Sequence, residues 1–352
     1  MKRYLSNTLA GSCNQSWFAP EPGEVCTGRV FYRLYAGGTW EYRLFFSNVI
    51  DSTFADGTHS AANRILPPWT ILGARVSVCR EPEPGDFLQL LFDGLPRKQV
   101  APGEFFACDP IILSAEAGDY LCLEMTFSGT EIPYLPEAVI PVERLKDGAF
   151  VPDTQMPLAY LVGCDRPVKE HFVFAGDSIT MGCGTEKNSY THWAARIAEL
   201  AGEERAWWDI GIGFGRGYDM ASLGAWMFKA KQGDFVNLCY GVNDLLFGRT
   251  DEEILRDLHR ITDELDRVGI RYGLFTLPPF HQTGETEVRW RRVNAGILRE
   301  FDGAAYVFDT VRVLGKEAPE DTIPRFGGHP NAEGCELLAK EFVAFAKEKG
   351  IF

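Results

Sequence analysis

Four short runs carry the residues able to do chemistry. In "AGDSITMGCG" (175–184), Ser178 sits in a glycine-flanked turn between an apolar strand and a helix. Such a turn exposes the hydroxyl and leaves the backbone N–H free, which a nucleophile and an oxyanion donor both require. The other reading of this run is a helix cap supplied by Asp177 or Ser178. "GIGFGRGYD" (211–219) has glycines at 211, 213, 215 and 217, which let backbone N–H groups approach a ligand closely. Its alternatives are an ordinary loop or a phosphate cradle, although the Lys-Ser/Thr ending of a P-loop is missing. "YGVNDLLFG" (240–248) offers the Asn243 amide as a further oxyanion donor, or a structural Asn-Asp turn. "RFGGHPNAEG" (325–334) places His329 just before a helix, as a general base or as a structural histidine.

The elements needed to position these runs are legible from periodicity. Residues 165–352 read as alternating strands and helices: "HFVFA", "AWWDIGI", "DFVNLCY", "RYGLFTLPP" and "AAYVFDT" are five strands. A first helix carries Tyr190, Trp193, Ala194, Ile197 and Leu200 on one face. Ile254, Leu258, Ile261, Leu265 and Val268 recur at steps of four and three, an amphipathic helix. Further helices are expected near 287–301 and from Asn331 to Lys349. Alternation of this kind predicts an α/β fold with a parallel sheet covered on both faces. In such a sheet a ligand binds beyond the carboxyl ends of the strands. Three of the four runs fall at those ends, and His329 follows the fifth strand.

Residues 25 to about 145 have another texture. "RVFYRLYAG", "TWEYRLFFSN", "ARVSVCR", "FLQLLFDG" and "YLCLEMTFSG" are short, rich in β-branched and aromatic residues, and followed by turn residues. They predict an antiparallel β-sandwich, jelly-roll-like, over residues 1–155, ahead of an α/β domain at 165–352. "DSTFADGTHSAANRILPP" reads as a long surface loop, and residues 146–165 as the connection between the halves.

Taken together, "GDSIT", the glycine block, "GVND" and "HPNAEG" resemble the SGNH (GDSL) hydrolase superfamily over residues 171–352. The resemblance implies a flavodoxin-like α/β/α sandwich that hydrolyses esters through an acyl-enzyme. Ser178 matches its nucleophile, which also gives a backbone N–H to the oxyanion hole. Gly215 matches its block-two glycine, with Gly213 as the alternative. Asn243 matches its oxyanion asparagine and His329 its general base. The departure is the acid: where the family has an aspartate three residues before the histidine, this chain has Phe326. A triad acid fixes the imidazole tautomer and stabilises the imidazolium. A backbone carbonyl near Phe326 or Arg325 can fix the tautomer instead; Asp321, Glu320 and Asp309 are the displaced carboxylates able to take the role. Carbohydrate esterases of family two are similar in this respect, with a Ser-His dyad and a β jelly roll before the SGNH domain. The resemblance thus implies a serine esterase acting on short acyl, notably acetyl, esters of carbohydrates. A lipid esterase or lysophospholipase, and a catalytically dead glycan-binding protein, are the alternatives.

Composition narrows the partners. The formal charge of −14 falls on both halves and argues against a nucleic-acid partner held by its phosphates. No apolar run approaches the roughly 20 residues of a membrane span, and the N-terminus has no signal-peptide core. Nine cysteines occur without a C-x-x-C pair, which favours neither a metal site nor a disulfide framework and fits a reduced, cytoplasmic setting. No metal or cofactor is implied; the expected partner is a small-molecule or oligosaccharide ester.

Overall fold

The computed structural model describes residues 2–52, 61–315 and 328–352. Residues 5–164 build antiparallel sheets. The larger runs Ala149–Pro152, Val142–Lys146, Cys26–Arg33, Tyr120–Gly129, Trp69–Cys79, with Leu88–Gln89 and Lys98–Val100 both paired to the last of these. The smaller runs Leu5–Ser6, Leu161–Cys164, Gly38–Ser47, which in turn pairs with Phe105–Ala107 and Ile111–Ala115. Alternation decides which side chains turn inward. Val30, Tyr32, Leu121, Leu123 and Met125 of the larger sheet share one core with Tyr42, Leu44 and Phe46 of the smaller.

Two expectations are corrected here. "FLQLLFDG" contributes only the exposed pair Leu88–Gln89 as strand. Residues 146–165 are no simple connection, because Ala149–Pro152 extends the larger sheet and Leu161–Cys164 is the middle of the smaller one. The predicted surface loop lies partly outside the described residues. Its described flanks are mixed: Asp51, Ser52, Ala61 and Leu66 are buried, while Arg64, Ile65 and Pro68 are exposed.

The C-terminal half is the α/β part. Its parallel sheet is ordered Ala206–Asp209, His171–Gly176, Phe235–Cys239, Arg271–Phe275, Tyr306–Phe308. In chain order that is 2-1-3-4-5, with the switch point beside the first strand. All six residues of His171–Gly176 and all five of Phe235–Cys239 are buried, as central parallel strands must be. Right-handed crossovers on either side of the switch point send helices to opposite faces. The helices accordingly pack in two groups: Trp193–Ala201 against Ala332–Glu348, and Asp251–Arg267 against Gly284–Glu300.

Helix Asp251–Arg267 follows its predicted stripe, opened by a capping box in which Thr250 and Glu253 bond each other's backbone N–H. Val268 falls just past its end. Tyr190 does not join the first helix, which begins at Trp193; it sits in a left-handed conformation, φ 56°, and its hydroxyl accepts from the Arg33 N–H of the β half.

The two halves share a continuous core. Trp208 donates its indole N–H to the Tyr160 carbonyl at 3.0 Å, and Tyr35 its hydroxyl to the Ala198 carbonyl at 2.7 Å. Gly11 crosses Gly211 so closely that a Cβ there would lie 2.9 Å from the Gly211 carbonyl oxygen. Among the described residues no helix is long and apolar enough to cross a membrane.

Candidate active site

The first strand delivers Ser178. Gly176 ends that strand with Thr180 Oγ1 only 2.0 Å from where a Cβ would stand, so glycine alone fits. Asp177 is extended and its carboxylate accepts the Ile179 N–H at 2.9 Å, capping the single turn Ser178–Met181. The capping reading holds through Asp177, which leaves the Ser178 side chain for other work. Ser178 Oγ stands 2.8 Å from His329 Nε2. That distance suits transfer of the hydroxyl proton to the imidazole.

His329 is placed by its neighbours. Gly328 precedes it with φ 73°, and after Pro330 the Asn331 side chain accepts the Gly334 N–H to start helix Ala332–Glu348. The Phe280 ring meets the imidazole edge-on, centroids 5.0 Å apart. Behind it, Gly184 leaves space for the His329 Cβ. Burial holds the imidazole below its usual pKa, so it is neutral and able to accept a proton near pH 7. Phe326, Arg325, Asp321 and Glu320 lie outside the described residues. Asp309 is described, and its Oδ1 accepts from Thr276 Oγ1 and the Val311 N–H. Among the described residues no carboxylate bonds to His329.

Asn243 lies in the single turn Val242–Leu246 that leaves the third strand through Gly241, φ 129°. One amide hydrogen goes to the Gly215 carbonyl at 3.0 Å, and a primary amide has a second to give. The Gly215 N–H is itself committed to the Ile212 carbonyl at 3.0 Å. Gly215 thus meets Asn243 through its carbonyl, and its own N–H is taken up within block two. The residue sequence reasoning missed is Phe214. It occupies the third position of the Ile212–Gly215 turn at φ 58°, where a type II turn prefers glycine. A bulky residue held there carries strain of about 1–3 kcal/mol and flags function. Among the described residues the N–H groups of Ser178, Gly213 and Phe214 have no acceptor.

Buried aspartates tie the blocks down from below. Asp209 accepts the Gly211 N–H at 2.6 Å, and Asp244 accepts the Gly217 and Tyr218 N–H groups at 2.9 and 3.2 Å. Burial pushes Asp177 up to about 7 and Asp244 up to about 6, and lifts Asp209 well above the carboxylate range. The arrangement can do acyl transfer: a hydroxyl sits on a neutral imidazole, and the blocks at the neighbouring strand ends carry N–H groups without acceptors among the described residues.

No curated protein matches the chain. Among solved structures, a lipolytic G-D-S-L family protein from Veillonella parvula is 20% identical, with TM-score 0.42, covering 49% of this chain and 95% of that one. TesA is 17% identical, TM-score 0.43, covering 51% and 98%. The salicylyl-acyltransferase SsfX3 of a tetracycline biosynthetic pathway is 16% identical, TM-score 0.44, covering 96% and 98%. Residues 174–337, which include Ser178, Asn243 and His329, match the GDSL-like Lipase/Acylhydrolase family, so this part of the chain is a GDSL-type domain and the protein is an ester hydrolase.

Proposed function

We propose that this hydrolase is a cytoplasmic serine esterase that removes short acyl groups, acetyl foremost, from carbohydrate or similarly polar esters through a Ser-His dyad. The observation that carries the reading is the 2.8 Å contact between Ser178 Oγ and the Nε2 of a neutral, buried His329. Ser178 Oγ attacks the acyl carbon while its proton passes to His329 Nε2. The Ser178 and Phe214 N–H groups and the free hydrogen of the Asn243 amide receive the developing oxyanion. The imidazolium returns the proton to the leaving alcohol. Water then gives a proton to the same nitrogen as it attacks the acyl carbon, and the imidazolium returns that proton to Ser178 Oγ as the bond to the acyl carbon breaks and the acid leaves. In this reading the ring is held by Phe280 and Gly184.

In this reading residues 165–352 are the catalytic unit with a flavodoxin-like α/β/α architecture. Residues 1–155, completed by strand Leu161–Cys164, are a jelly-roll-like β unit. Hydrolysis of p-nitrophenyl acetate in preference to the decanoate tests the acyl preference. The opposite preference would favour a lipid esterase, and no turnover of either would favour a dead glycan-binding protein.

A further inference from the structure

We propose that the β half supplies a specificity-determining residue to the active site: Glu137, held by Gln15, accepts a hydrogen bond from a free hydroxyl of the ester substrate. The inference rests on the esterase reading and deepens it. Glu137 lies between the strand Ile132–Tyr134 and Val142–Lys146, within the β half, yet its carboxylate reaches block two. A Cβ on Gly213 would stand 1.6 Å from Glu137 Oε2, so the approach exists only because residue 213 is glycine. Gly213 precedes Phe214, whose N–H faces no acceptor among the described residues.

Gln15 fixes the carboxylate. Its Nε2 donates one hydrogen to Glu137 Oε2 at 2.6 Å and the other to the Gly213 carbonyl at 2.9 Å. Both partners are acceptors, so the amide has one orientation, and its Oε1 is left buried without a donor among the described residues. Leaving a buried acceptor unmet is costly, and a side chain kept in that state for the sake of its other end is a positioning residue.

The opposite wall is close as well. The Asn188 N–H donates to the Val139 carbonyl at 2.7 Å, which lays the Glu137 loop along the segment after the Ser178 turn. Within that segment Gly184 packs on His329, and next to it burial followed by the Glu137 carboxylate pushes the Cys183 thiol up to about 12. Glu137 thus stands at block two, in the loop laid along the segment whose Gly184 packs on His329. Its Oε1 accepts from nothing among the described residues and is not buried. A carboxyl oxygen in that position takes a hydroxyl proton well and finds no partner in a plain alkyl ester. A site built to bond a substrate hydroxyl rejects the analogue that lacks it.

The test compares two esters: methyl glucoside acetylated on its primary hydroxyl, and the same ester with its remaining hydroxyls methylated. The ratio of kcat/KM between them is the readout. Glu137→Ala should lower that ratio at least about tenfold, mainly through KM, the effect of losing one hydrogen bond to a charged acceptor. Glu137→Gln, which keeps an acceptor oxygen without the charge, should fall in between. An unchanged ratio in Glu137→Ala, or an equal loss on both esters, overturns the role of Glu137 and leaves the esterase reading standing. Failure of the unsubstituted protein to hydrolyse either ester overturns the esterase reading itself.

Discussion

Lys229 and Asp51 form an ion pair with both side chains fully buried, joining helix Ala225–Ala230 of the hydrolase half to the β half. Asp51 Oδ2 also accepts the Asn14 N–H at 2.8 Å, while its Oδ1 is buried without a donor among the described residues. Removing one member of such a pair strands the other in the interior, a loss of about 3–5 kcal/mol. Lys229→Met should cost that much in guanidinium unfolding at unchanged m-value. The double variant Lys229→Met/Asp51→Leu should recover part of the loss. A single variant as stable as the unsubstituted protein would show that the pair carries no weight.

Ser178→Ala should leave folding intact, because the cap of its helix comes from Asp177. Turnover of p-nitrophenyl acetate should fall by several orders of magnitude, as it does when a catalytic serine is removed. Retention of more than about a tenth of the rate would remove Ser178 from the chemistry.

Asn243→Ala should lower kcat by roughly 10²–10³-fold, the usual effect of losing one oxyanion donor. Because the amide also bonds the Gly215 carbonyl, the variant loosens block two, and part of the loss comes from that. Steady-state kinetics separate the roles: a change confined to KM would mean that Asn243 only binds substrate.

Protonated His329 cannot take the Ser178 proton, so activity rises with pH as the imidazole deprotonates. Burial depresses its pKa, which puts the limb of the kcat/KM profile below the free value of about 6.5. The folded protein binds this proton more weakly than the unfolded chain does, so the same group makes stability fall as pH drops through that range. Asp309→Asn should leave the limb in place and keep activity within about tenfold, since Asp309 is engaged with Thr276 and Val311. A limb displaced above 6.5 would reveal a carboxylate on the histidine.

The sequence was informative wherever a residue acts through its own side chain at a strand end. Ser178, Asn243 and His329 could be picked out by type and position, and the structure brings Ser178 and His329 within 2.8 Å. It was silent where backbone or distant chain does the work. The role proposed for Phe214 needs only an N–H, which every residue but proline has, and only its φ of 58° marks it. Gly215 and Gly213 look alike in "GIGFGRG"; the hydrogen bond that occupies the Gly215 N–H is a tertiary fact. Gln15 and Glu137 are 122 positions apart, and nothing in "SCNQSW" or "YLPEAV" announces that they meet. The strands within 146–165 were missed for a similar reason. Pairing of Leu161–Cys164 with Leu5–Ser6 depends on a partner at the far end of the half, and no local pattern encodes it.

The crossing of Gly11 over Gly211, together with the grip of Gln15 on Gly213, bears on how this architecture can change over time. A hydrolase module whose walls were all its own could be recombined with any neighbour and keep its selectivity. Here block two is gripped by side chains from the other half, so on the role proposed for Glu137 exchanging that half exchanges part of the lock. A chimera joining residues 165–352 to an unrelated β unit would inherit the nucleophile and base but have to reinvent its discrimination between esters. Lineages carrying this pair of halves are therefore expected to drift as one inherited unit, with Gly11, Gln15, Glu137, Gly211 and Gly213 changing together or not at all.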